Sequence, residues 1–514
     1  MLYLDKKHNP KENAKLLAQI AESNSDITQT IKETDTLFQN FIQNNQNFAQ
    51  NKPRFSFQNL SRLFLAKRAE AETNPDITLV DLAGNVYPDW KSHLDEEYNK
   101  LQDKIDREVN VKDFGAAGDG VTDDTEAFNK AIGNGQVRVN VPEGVYITRG
   151  IKLPSWTSLV GAGKGLTTIK LHDTAPKGKR LVTNRNHRRG NRNIHVEGMS
   201  LDWNVARLGD VKKTATWGNH SSCLTYAHVK YGWVMDVEAI NPGLHCFDVS
   251  STLYDYSGDG YRARGGSEYI WLDNLNGYGF GDDGITTHHS DNIFISNCHM
   301  CDPSGRAHEK GFSNSNGIEV DDGSRNVWLV NNSTTRCFGG VEVKAHHNSS
   351  AANNVQIIGH LSVNDNRSYN FRHIGHHKSG DPESQTAHNI RATNIVAIAP
   401  IHTELYTDSP PRGMVVSAYK NVVVNNFTLI GDPRYDYKGN PVIAIQYRAR
   451  NVALQNISIK DFKKADCNIK IFGGDNCADH IRIRNVKIRN SVSKVVDVGI
   501  GIEDIKISNV DLLV

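Results

Sequence analysis

The feature that most constrains the fold is a short pattern that recurs along the second half of the chain. It reads Asn, apolar, any residue, apolar, any residue, Asn, apolar, with single departures, and its copies begin at Asn292, Asn326, Asn354, Asn389, Asn421, Asn451, His480 and Asp504. Successive copies start 34, 28, 35, 32, 30, 29 and 24 residues apart. Because side chains alternate along a strand, each copy presents two apolar residues to one side before the chain turns at an asparagine.

Stacking such repeats gives a solenoid in which the corner asparagines of successive coils stand above one another and each amide hydrogen-bonds the next. A spacing of 24 to 35 residues is too variable for the blades of a propeller, and no helix alternates with the strands as in a barrel of βα units. The sequence therefore predicts an all-β solenoid of the parallel β-helix type.

The stretch from Val109 to Ala127, VNVKDFGAAGDGVTDDTEA, marks the place where this strand-rich part begins. Its glycines favour tight turns with positive φ, and a short helix follows whose apolar face is Ala127, Phe128, Ala131 and Ile132. Because the end of a stack of strands exposes unpaired edges, we expect this helix to plug that end.

The segment DFGAAGDGVTDDTEAF (residues 113–128), followed by VNVPEGVYITRGIKL (residues 139–153), resembles the opening of the pectate-lyase-like superfamily in its phage tailspike and pre-neck appendage form. The resemblance implies a right-handed, single-stranded parallel β-helix over residues 109–514, with an N-terminal α-helical region. It also implies a homotrimeric virion protein, made in the host cytoplasm, that meets a host cell-surface polysaccharide. Activity is a separate question, because one fold carries many different sites.

Residues 1–108 are predicted to form a helical attachment and oligomerisation region, which the resemblance connects to the virion and its tail proteins. Apolar residues recur in it at near-heptad spacing, at Ile20, Ile27, Ile31, Phe38, Phe41 and Phe48. The pattern favours a coiled coil that joins subunits, and the alternative is one amphipathic helix packed on its own domain. The basic and aromatic stretch 52–72 is either an interface or an ordinary packed helix.

Charge and hydropathy limit the classes of partner that the chain can have, and the cysteine count indicates the state of its thiols. Lys and Arg number 59 against 58 Asp and Glu, and this balance argues against nucleic acid as the main partner. No apolar run of about 18 residues occurs, so membrane insertion is not expected, and the N-terminal MLYLDKKHNPKEN predicts no signal peptide. The seven cysteines are scattered and odd in number, which predicts free, mostly buried thiols, including the pair Cys298 and Cys301.

Aligning the strand that precedes each repeat predicts columns of outward side chains, because adjacent coils lie about 4.8 Å apart. The aligned strands are CFDVS, GITTH, GIEVD and VEVKA, with Phe247, Ile285, Ile318 and Val341 pointing inward. The predicted outward columns are Asp248, Thr286, Glu319 and Glu342, and then Ser250, His288, Asp321 and Lys344. Asp282 and Asp283 fall at the turn that leads into the second strand.

Stacked carboxylates repel one another, so some of their pKa values must rise. A protonated carboxyl beside an ionised one is the arrangement that glycoside hydrolysis uses. The alternative is a polar face that only meets water. The density of ionisable groups favours a functional groove.

A second resemblance sharpens that reading. GDDGI at Gly281 is similar to the paired-aspartate turn of polygalacturonases, and GGVEVKA at Gly339 is similar to their basic strand. The resemblance implies roles for Asp282, Asp283 and Lys344. The resemblance implies no role for other positions, because that family has an aspartate, a histidine and an arginine where this chain has His245, Asn316 and Glu342.

The predicted catalytic residues are Asp282, Asp283, Glu319 and Lys344. Asp282 or Asp283 would be the general acid and Glu319 the base or nucleophile, while Lys344 would bind a substrate anion or hydroxyl. The predicted substrate-binding residues are His245, Asp248, His288, Asp321, Glu342, Trp271 and Tyr278, the last two from an aromatic group that also contains Tyr254, Tyr256 and Phe280. Carboxylates about 5 Å apart would favour retention, and those roughly 7–10 Å apart inversion.

The favoured function is hydrolysis of a host-surface polysaccharide without a metal. One alternative is a polysaccharide lyase with Lys344 as base and Ca²⁺ as a possible cofactor. Another is a spike that binds a glycan without cutting it. The histidine-rich pieces His346–His347 and His373–His377 either hold a metal or line a polar loop, and the loop is favoured.

Overall fold

The computed structural model describes residues 2–21, 26–44, 66–68, 77–215 and 220–513. Its α-helices are α1 Asn13–Ile20, α2 Ile27–Asn44, α3 Lys91–Lys104 and α4 Thr125–Ile132, and short 3-10 turns lie at Pro10–Glu12, Val111–Phe114 and Val205–Leu208. The strands in chain order are β1 Ala66–Arg68, β2 Thr78–Val80, β3 Val86–Pro88, β4 Arg107–Asn110, β5 Asp119–Asp123, β6 Val137–Val141, β7 Gly144–Thr148, β8 Ile151–Leu153, β9 Thr157–Gly161, β10 Thr167–Leu171, β11 Val182–Asn184, β12 Asn191–Asp202, β13 Leu224–Ala227, β14 Val229–Ile240, β15 Phe247–Ser250, β16 Tyr261–Ala263, β17 Glu268–Asp273, β18 Asn276–Tyr278, β19 Ile285–Thr287, β20 Asp291–Ser296, β21 His299–Cys301, β22 Asn316–Val320, β23 Arg325–Thr335, β24 Gly339–Ala345, β25 Asn353–Val363, β26 Arg367–His373, β27 His388–Ile398, β28 Arg412–Ser417, β29 Lys420–Ile430, β30 Ile443–Gln446, β31 Arg450–Lys460, β32 Ile469–Ile471, β33 Asp479–Arg489, β34 Val496–Val498 and β35 Ile505–Leu513.

The solenoid strands form two long parallel sheets. One sheet has 12 strands, and each of them pairs with the next strand of the same set. These strands are β8, β11, β13, β15, β19, β22, β24, β26, β28, β30, β32 and β34. The other sheet contains the long strands from β12 to β35, which pass through a corner at their second asparagine, together with the first coils. This is the predicted parallel β-helix. Its right-handed sense remains the expectation for parallel crossover connections.

The repeat asparagines build two corner ladders. Asn326 and Asn331 both adopt positive φ, at 56° and 54°, a region that asparagine tolerates better than most residues. At the first corner the Asn354 side-chain amide donates to Asn326 Oδ1 at 2.7 Å. At the second corner Asn426 donates to Asn394 Oδ1 at 3.1 Å. The predicted ladder is confirmed, and the first position of the repeat turns a corner as well as the second.

One hydrophobic core fills the solenoid along its length. Phe247, Ile285, Ile318 and Val341 are fully buried in it, as the strand alignment predicts. Helix α4 packs its buried apolar face on the first coil, where Phe128 meets Tyr146 edge-on at 5.8 Å. The predicted plug helix is therefore confirmed.

The N-terminal helices lie on the solenoid, and the coiled coil predicted from the heptad spacing is wrong for the described part of its seam. Ile31 is buried with α3, and Phe38 is buried against Val423 and Ala453 of the long-strand sheet. The seam is also divided, because α1 ends at Ile20 and α2 begins at Ile27. The apolar stripe covers the chain's own sheet.

Phe48 of the predicted seam lies outside the described residues. So does the stretch 52–72, except for the short strand β1, which pairs antiparallel with β16. The solenoid begins at β4, and a trimer stays a prediction.

The cysteine prediction is confirmed. All seven cysteines are free thiols, and every one except the half-buried Cys477 is buried. Cys298 and Cys301 are fully buried, and no zinc-type pair joins them among the described residues. In the same part of the chain no helix combines the length and apolar character that a membrane crossing requires.

Candidate active site

The predicted outward columns exist on the 12-stranded sheet. Asp248 lies in register with Thr286, Thr286 with Glu319, and Glu319 with Glu342. In the neighbouring column His288 Nε2 lies 3.4 Å from Asp321 Oδ2, and the Lys344 ammonium lies 3.5 Å from the same oxygen. The structure thus brings together the charged residues that the alignment placed on one strip.

These outward side chains are buried, although they point away from the solenoid core. Asp283, Glu319 and Lys344 are only 1%, 2% and 4% exposed. Loops between the strands fold over them: residues 302–315 carry His308 against Asp282, and residues 251–260 carry Tyr254 against His288. Burial under loops makes this strip different from a polar face that only meets water.

Asp282 and Asp283 share one histidine but have different partners. His308 Nε2 contacts Asp282 Oδ1 at 2.7 Å, and Asp282 retains 16% of its side-chain exposure. Asp283 Oδ1 accepts from the backbone N–H of Asn316 at 2.9 Å and from its side-chain amide at 3.1 Å. His245 Nε2 lies 3.6 Å from a carboxylate oxygen of each. The outer carboxylate therefore meets solvent and a histidine, while the inner one is held by an amide.

Asn316 and Lys344 connect this pair to the strip. The Asn316 amide nitrogen also donates to Glu319 Oε1 at 2.8 Å, so Asp283 and Glu319 share one donor. Lys344 Nζ lies 2.9 Å from the same Glu319 oxygen. Asn316 stands where polygalacturonases have a histidine. In this chain its side-chain amide positions Asp283 and Glu319.

The two adjacent aspartates have opposite pKa shifts. Burial, and then repulsion by Asp282 and Glu319, raises the pKa of Asp283 well above its ordinary value. Burial also acts on Asp282, but His308 and His245 outweigh it and hold the pKa of Asp282 below its ordinary value. The surroundings therefore favour the protonated form of Asp283 and the ionised form of Asp282.

The strip repeats this alternation. Burial raises the pKa of Glu319 and Lys344 only partly offsets it, whereas Lys344 and His288 outweigh burial and hold the pKa of Asp321 well below its ordinary value. Burial opposes the charge of Lys344, but Asp321 and Glu319 outweigh it, so the pKa of the ammonium is raised. Lys344 is a permanent cation here.

A histidine and aromatic wall borders the strip. Tyr254 meets the His288 ring edge-on at 5.0 Å, and Tyr256 meets His346 at 6.0 Å. His346 Nδ1 lies 3.0 Å from Asp322 Oδ2, and this hydrogen bond raises the pKa of His346 to about 9. Two of the aromatics that the sequence analysis grouped around the groove therefore lie at the site.

Trp271 and Tyr278, by contrast, do not lie at the site, and their grouping with the strip is wrong. Trp271 stacks on Phe294 in the long-strand sheet, beneath Lys91 of α3. Tyr278 lies under Lys6 of the N-terminal segment, 4.9 Å from its ammonium. Both face outward on a different side of the coil, a distinction that composition and proximity in sequence do not reveal.

The ends of the strip carry cations. Back from Asp248 the column runs through Thr225 and Thr183 to Lys152. Lys152 borders a surface pocket of about 320 Å³ whose other ionisable lining residues are Lys179, Arg180, Arg185, His187 and His220. Burial lowers the pKa of Arg180, and the charge of Asp248 partly offsets this effect. The two oxygens of Asp248 have no hydrogen-bond partner among the described residues.

At the other end Glu342 is paired with Arg372, which donates to Glu342 Oε1. Arg372 lies in register with Lys344 on the next strand. Extending the alignment by one strand, to RSYNFRH, would have found this arginine. His308 carried no such signal, because it comes from a loop without a repeat and reaches Asp282 only through the fold.

Three groups at the site have metal-ligating side chains within 4.8 Å of one another: His245, Asp282 and Asp283; His288, Glu319 and Asp321; and Asp321, Asp322 and His346. In the second group the Lys344 ammonium contacts both carboxylates and so occupies the position that a metal ion would need. The first group places a partly exposed carboxyl, Asp282, beside a buried one, Asp283, and their pKa values are shifted in opposite directions. That arrangement can donate a proton from one carboxyl and use the other as a base or nucleophile.

Comparison with known proteins gives the fold and the relatives. The family model described as rhamnogalacturonase A/epimerase, pectate lyase-like, matches residues 108–342. The putative phage-related protein YobO of Bacillus subtilis (strain 168) is 52% identical over 445 residues, which are 86% of this chain and 55% of that protein. The pre-neck appendage protein of Bacillus phage phi29 is 44% identical over 407 residues, 78% of this chain and 46% of that protein.

A solved structure agrees with these relatives. The crystal structure of the N-terminal fragment of bacteriophage phi29 gene product 12 superposes with a TM-score of 0.74 at 41% identity. The match covers 82% of this chain and 69% of that fragment. The chain spans about half the length of the curated relatives it matches.

Proposed function

The chain belongs to the pectate-lyase-like family, together with the pre-neck appendage proteins of Bacillus phages, and from this premise we propose that it is a virion appendage that hydrolyses a host cell-surface polysaccharide. The observation that carries the proposal is the pair Asp282 and Asp283, adjacent carboxyls with different partners whose pKa values are shifted in opposite directions. Environments that push two neighbouring pKa values apart identify the acid and base of a hydrolase.

The pKa directions favour specific roles. Asp283, whose pKa is raised, is the general acid. Asp282, whose pKa is lowered and which is partly exposed, is the base or nucleophile. It takes that role in place of Glu319 because Glu319 is buried and held by Lys344 and the Asn316 amide. Glu319 positions Asn316, and Lys344 orients Glu319 and Asp321.

The separation of the two aspartates bears on stereochemistry. One carboxylate oxygen of each lies within 4.8 Å of the other. This is closer to the carboxyl spacing of about 5–5.5 Å in retaining glycosidases than to the 6.5–9.5 Å of inverting ones. The proposed outcome is retention.

Hydrolysis is favoured over β-elimination because of the state of Lys344. A lyase base must be unprotonated to remove the proton beside a uronate carboxylate. Asp321 and Glu319 keep Lys344 cationic, so it is unsuited to that role. The cations that flank the strip, Lys152 and Arg372, are suited to a polymer that carries acidic groups.

The test is to incubate the purified protein with a panel of bacterial wall and capsular polysaccharides. Reducing ends and the ultraviolet absorbance of unsaturated uronates are followed together. A rise in reducing ends alone supports the hydrolase. A rise in both signals would replace it with a lyase, and binding without either signal would leave a glycan-binding spike.

A further inference from the structure

A second cluster of ligating side chains lies outside the candidate active site. It contains Asp259, His373 and His376, each of which offers an oxygen or nitrogen within 4.8 Å of those of the other two. Asp259 belongs to the loop 251–260, and the two histidines lie at the end of β26 and in the loop that follows it. The sequence analysis favoured a polar loop for this histidine-rich piece.

His376 has one ring nitrogen engaged and one bare. Its Nδ1 lies 2.9 Å from the carbonyl oxygen of Pro382, and since a carbonyl only accepts, Nδ1 carries the proton. The Nε2 atom is then a lone pair. It is buried and has no hydrogen-bond partner among the described residues, in a side chain that is only 3% exposed. Buried polar atoms are usually hydrogen-bonded, so this lone pair, which lies beside a carboxylate and a second imidazole, is available to a ligand.

His373 also has one ring nitrogen fixed by a backbone carbonyl, but its other nitrogen has a hydroxyl partner. Its Nε2 lies 3.0 Å from the carbonyl oxygen of Ser349 and so carries the proton. Its Nδ1 lone pair meets the Ser384 hydroxyl at 2.7 Å, and that hydroxyl also lies 3.3 Å from Asp259 Oδ2.

This is the pattern of histidines that bind metals. A ligating histidine almost always donates its other ring N–H to a carbonyl or carboxylate, which fixes the tautomer and directs the lone pair at the ion. Here two backbone carbonyls fix the two tautomers, and Asp259 supplies an anion. Ligand atoms at about 2.0–2.2 Å from an ion lie at most about 4.4 Å apart, so a small contraction closes the group.

We propose that Asp259, His373 and His376 bind one divalent transition-metal ion, with Zn²⁺ the best match. Two imidazoles and a carboxylate are borderline ligands that suit Zn²⁺ and its neighbours better than Ca²⁺ or Mg²⁺, which prefer oxygen. The Ser384 hydroxyl or a water completes the coordination.

The ion has a structural role in this proposal. It joins the loop 251–260 to the loop after β26, which are separated by more than a hundred residues in sequence. The first of these loops carries Tyr254 and Tyr256, the aromatic wall of the candidate active site. The ion would therefore hold that wall in place, but it does not take part in the chemistry at Asp282 and Asp283.

The test is metal analysis of the full chain after chelation and titration with Zn²⁺. The variants are Asp259→Asn and His376→Gln, and the matched control is His377→Gln, whose ring packs against Tyr447 outside the cluster. We expect one more bound ion per chain in the wild type and the control than in the two variants, or an affinity at least tenfold weaker in the variants. We also expect Zn²⁺ to raise the melting temperature of the wild type and control only.

Equal Zn²⁺ binding by the wild type and both variants, or no binding by the wild type, would overturn the proposal. If the variants fail to fold, the Co²⁺ absorption spectrum of the wild type decides. Nitrogen and oxygen ligands give visible bands without thiolate charge transfer. A thiolate band would place the ion at Asp466, Cys467 and Asp497 instead and would equally overturn the proposal.

Discussion

Two columns of outward side chains run along this solenoid at equivalent places and differ in what covers them. The column on the long-strand sheet contains Trp233, Trp271, Phe294 and Trp328 in register. The column on the 12-stranded sheet contains Asp248, Thr286, Glu319 and Glu342. The first is covered by α2, α3 and β3, with Trp90 and Leu94 packed against it, and the second is covered by loops.

The apolar column contributes to stability, whereas the charged column is better explained by function. Burying an aromatic or aliphatic side chain stabilises a protein by roughly 1.5–3 kcal/mol, so the apolar column fastens the N-terminal region to the solenoid. Burying charges is unfavourable unless they are paired, and perturbed pKa values concentrate at functional sites. Burial of the charged column is therefore better explained by a functional site than by stability, in keeping with the proposed catalysis.

The largest effect is expected from Asp283→Asn, at the turn beside the charged column. An amide keeps the oxygen that accepts from the Asn316 N–H, but it has no acidic proton to transfer to a leaving group. We expect polysaccharide turnover to fall on the order of 10³-fold, the range typical of general acid catalysis, with little change in melting temperature. Asp302→Asn, which alters an ion pair with Arg336 elsewhere, is the control and should stay active. Full turnover by Asp283→Asn would remove the proposed acid.

The converse change is Trp328→Ala in the apolar column. Trp328 is fully buried, meets Trp90 edge-on at 5.9 Å and donates to Thr78 Oγ1 at 2.9 Å. We expect the free energy of unfolding to drop by about 3–5 kcal/mol in denaturant titrations, while turnover per folded molecule is unchanged. Trp328→Phe should lose less. A large loss of turnover in folded Trp328→Ala would show that the two faces are coupled.

His308→Gln tests the opposite pKa shifts of Asp282 and Asp283, which lie beside the charged column. His308 is one of the two histidines that hold the pKa of Asp282 down, so its removal should raise that pKa. Asp282 would then become ionised only at higher pH. The acidic limb of the pH–turnover profile should move to higher pH, with a smaller change on the plateau. An unmoved limb would mean that the Asp282 charge does not limit turnover.

The smallest expected effect is on the pH dependence of stability at His346. Its folded pKa of about 9 exceeds its ordinary value of 6.5, so its pairing with Asp322 stabilises the fold fully below about pH 6.5 and is lost as pH rises through 9. Because His346 is nearly half exposed, the contribution is below about 1 kcal/mol. His346→Asn should flatten the stability curve between pH 6.5 and 9. The same slope in the variant would assign the effect to another group.

The sequence predicted the register of the charged column because that register depends on local rules. Apolar residues alternate, the corner positions adopt a backbone conformation that asparagine tolerates, and each coil then repeats the previous one. For this reason the sequence predicted the register of Asp248, Thr286, Glu319 and Glu342 correctly. Tyr278 and Trp271 were misplaced because nearness in sequence does not tell which side of the coil a residue faces.

What covers each face was decided only by the tertiary structure. The heptad spacing of Ile31 and Phe38 is the same for a helix that meets another subunit and for one that packs on its own sheet, and the partner sheet comes from residues hundreds of positions away. The protonation of Asp282 and Asp283 likewise depends on burial and on His308, which reaches them from a loop. Strand register follows from local backbone geometry and is present in the sequence, whereas burial and electric fields act through space and exist only after the chain has folded.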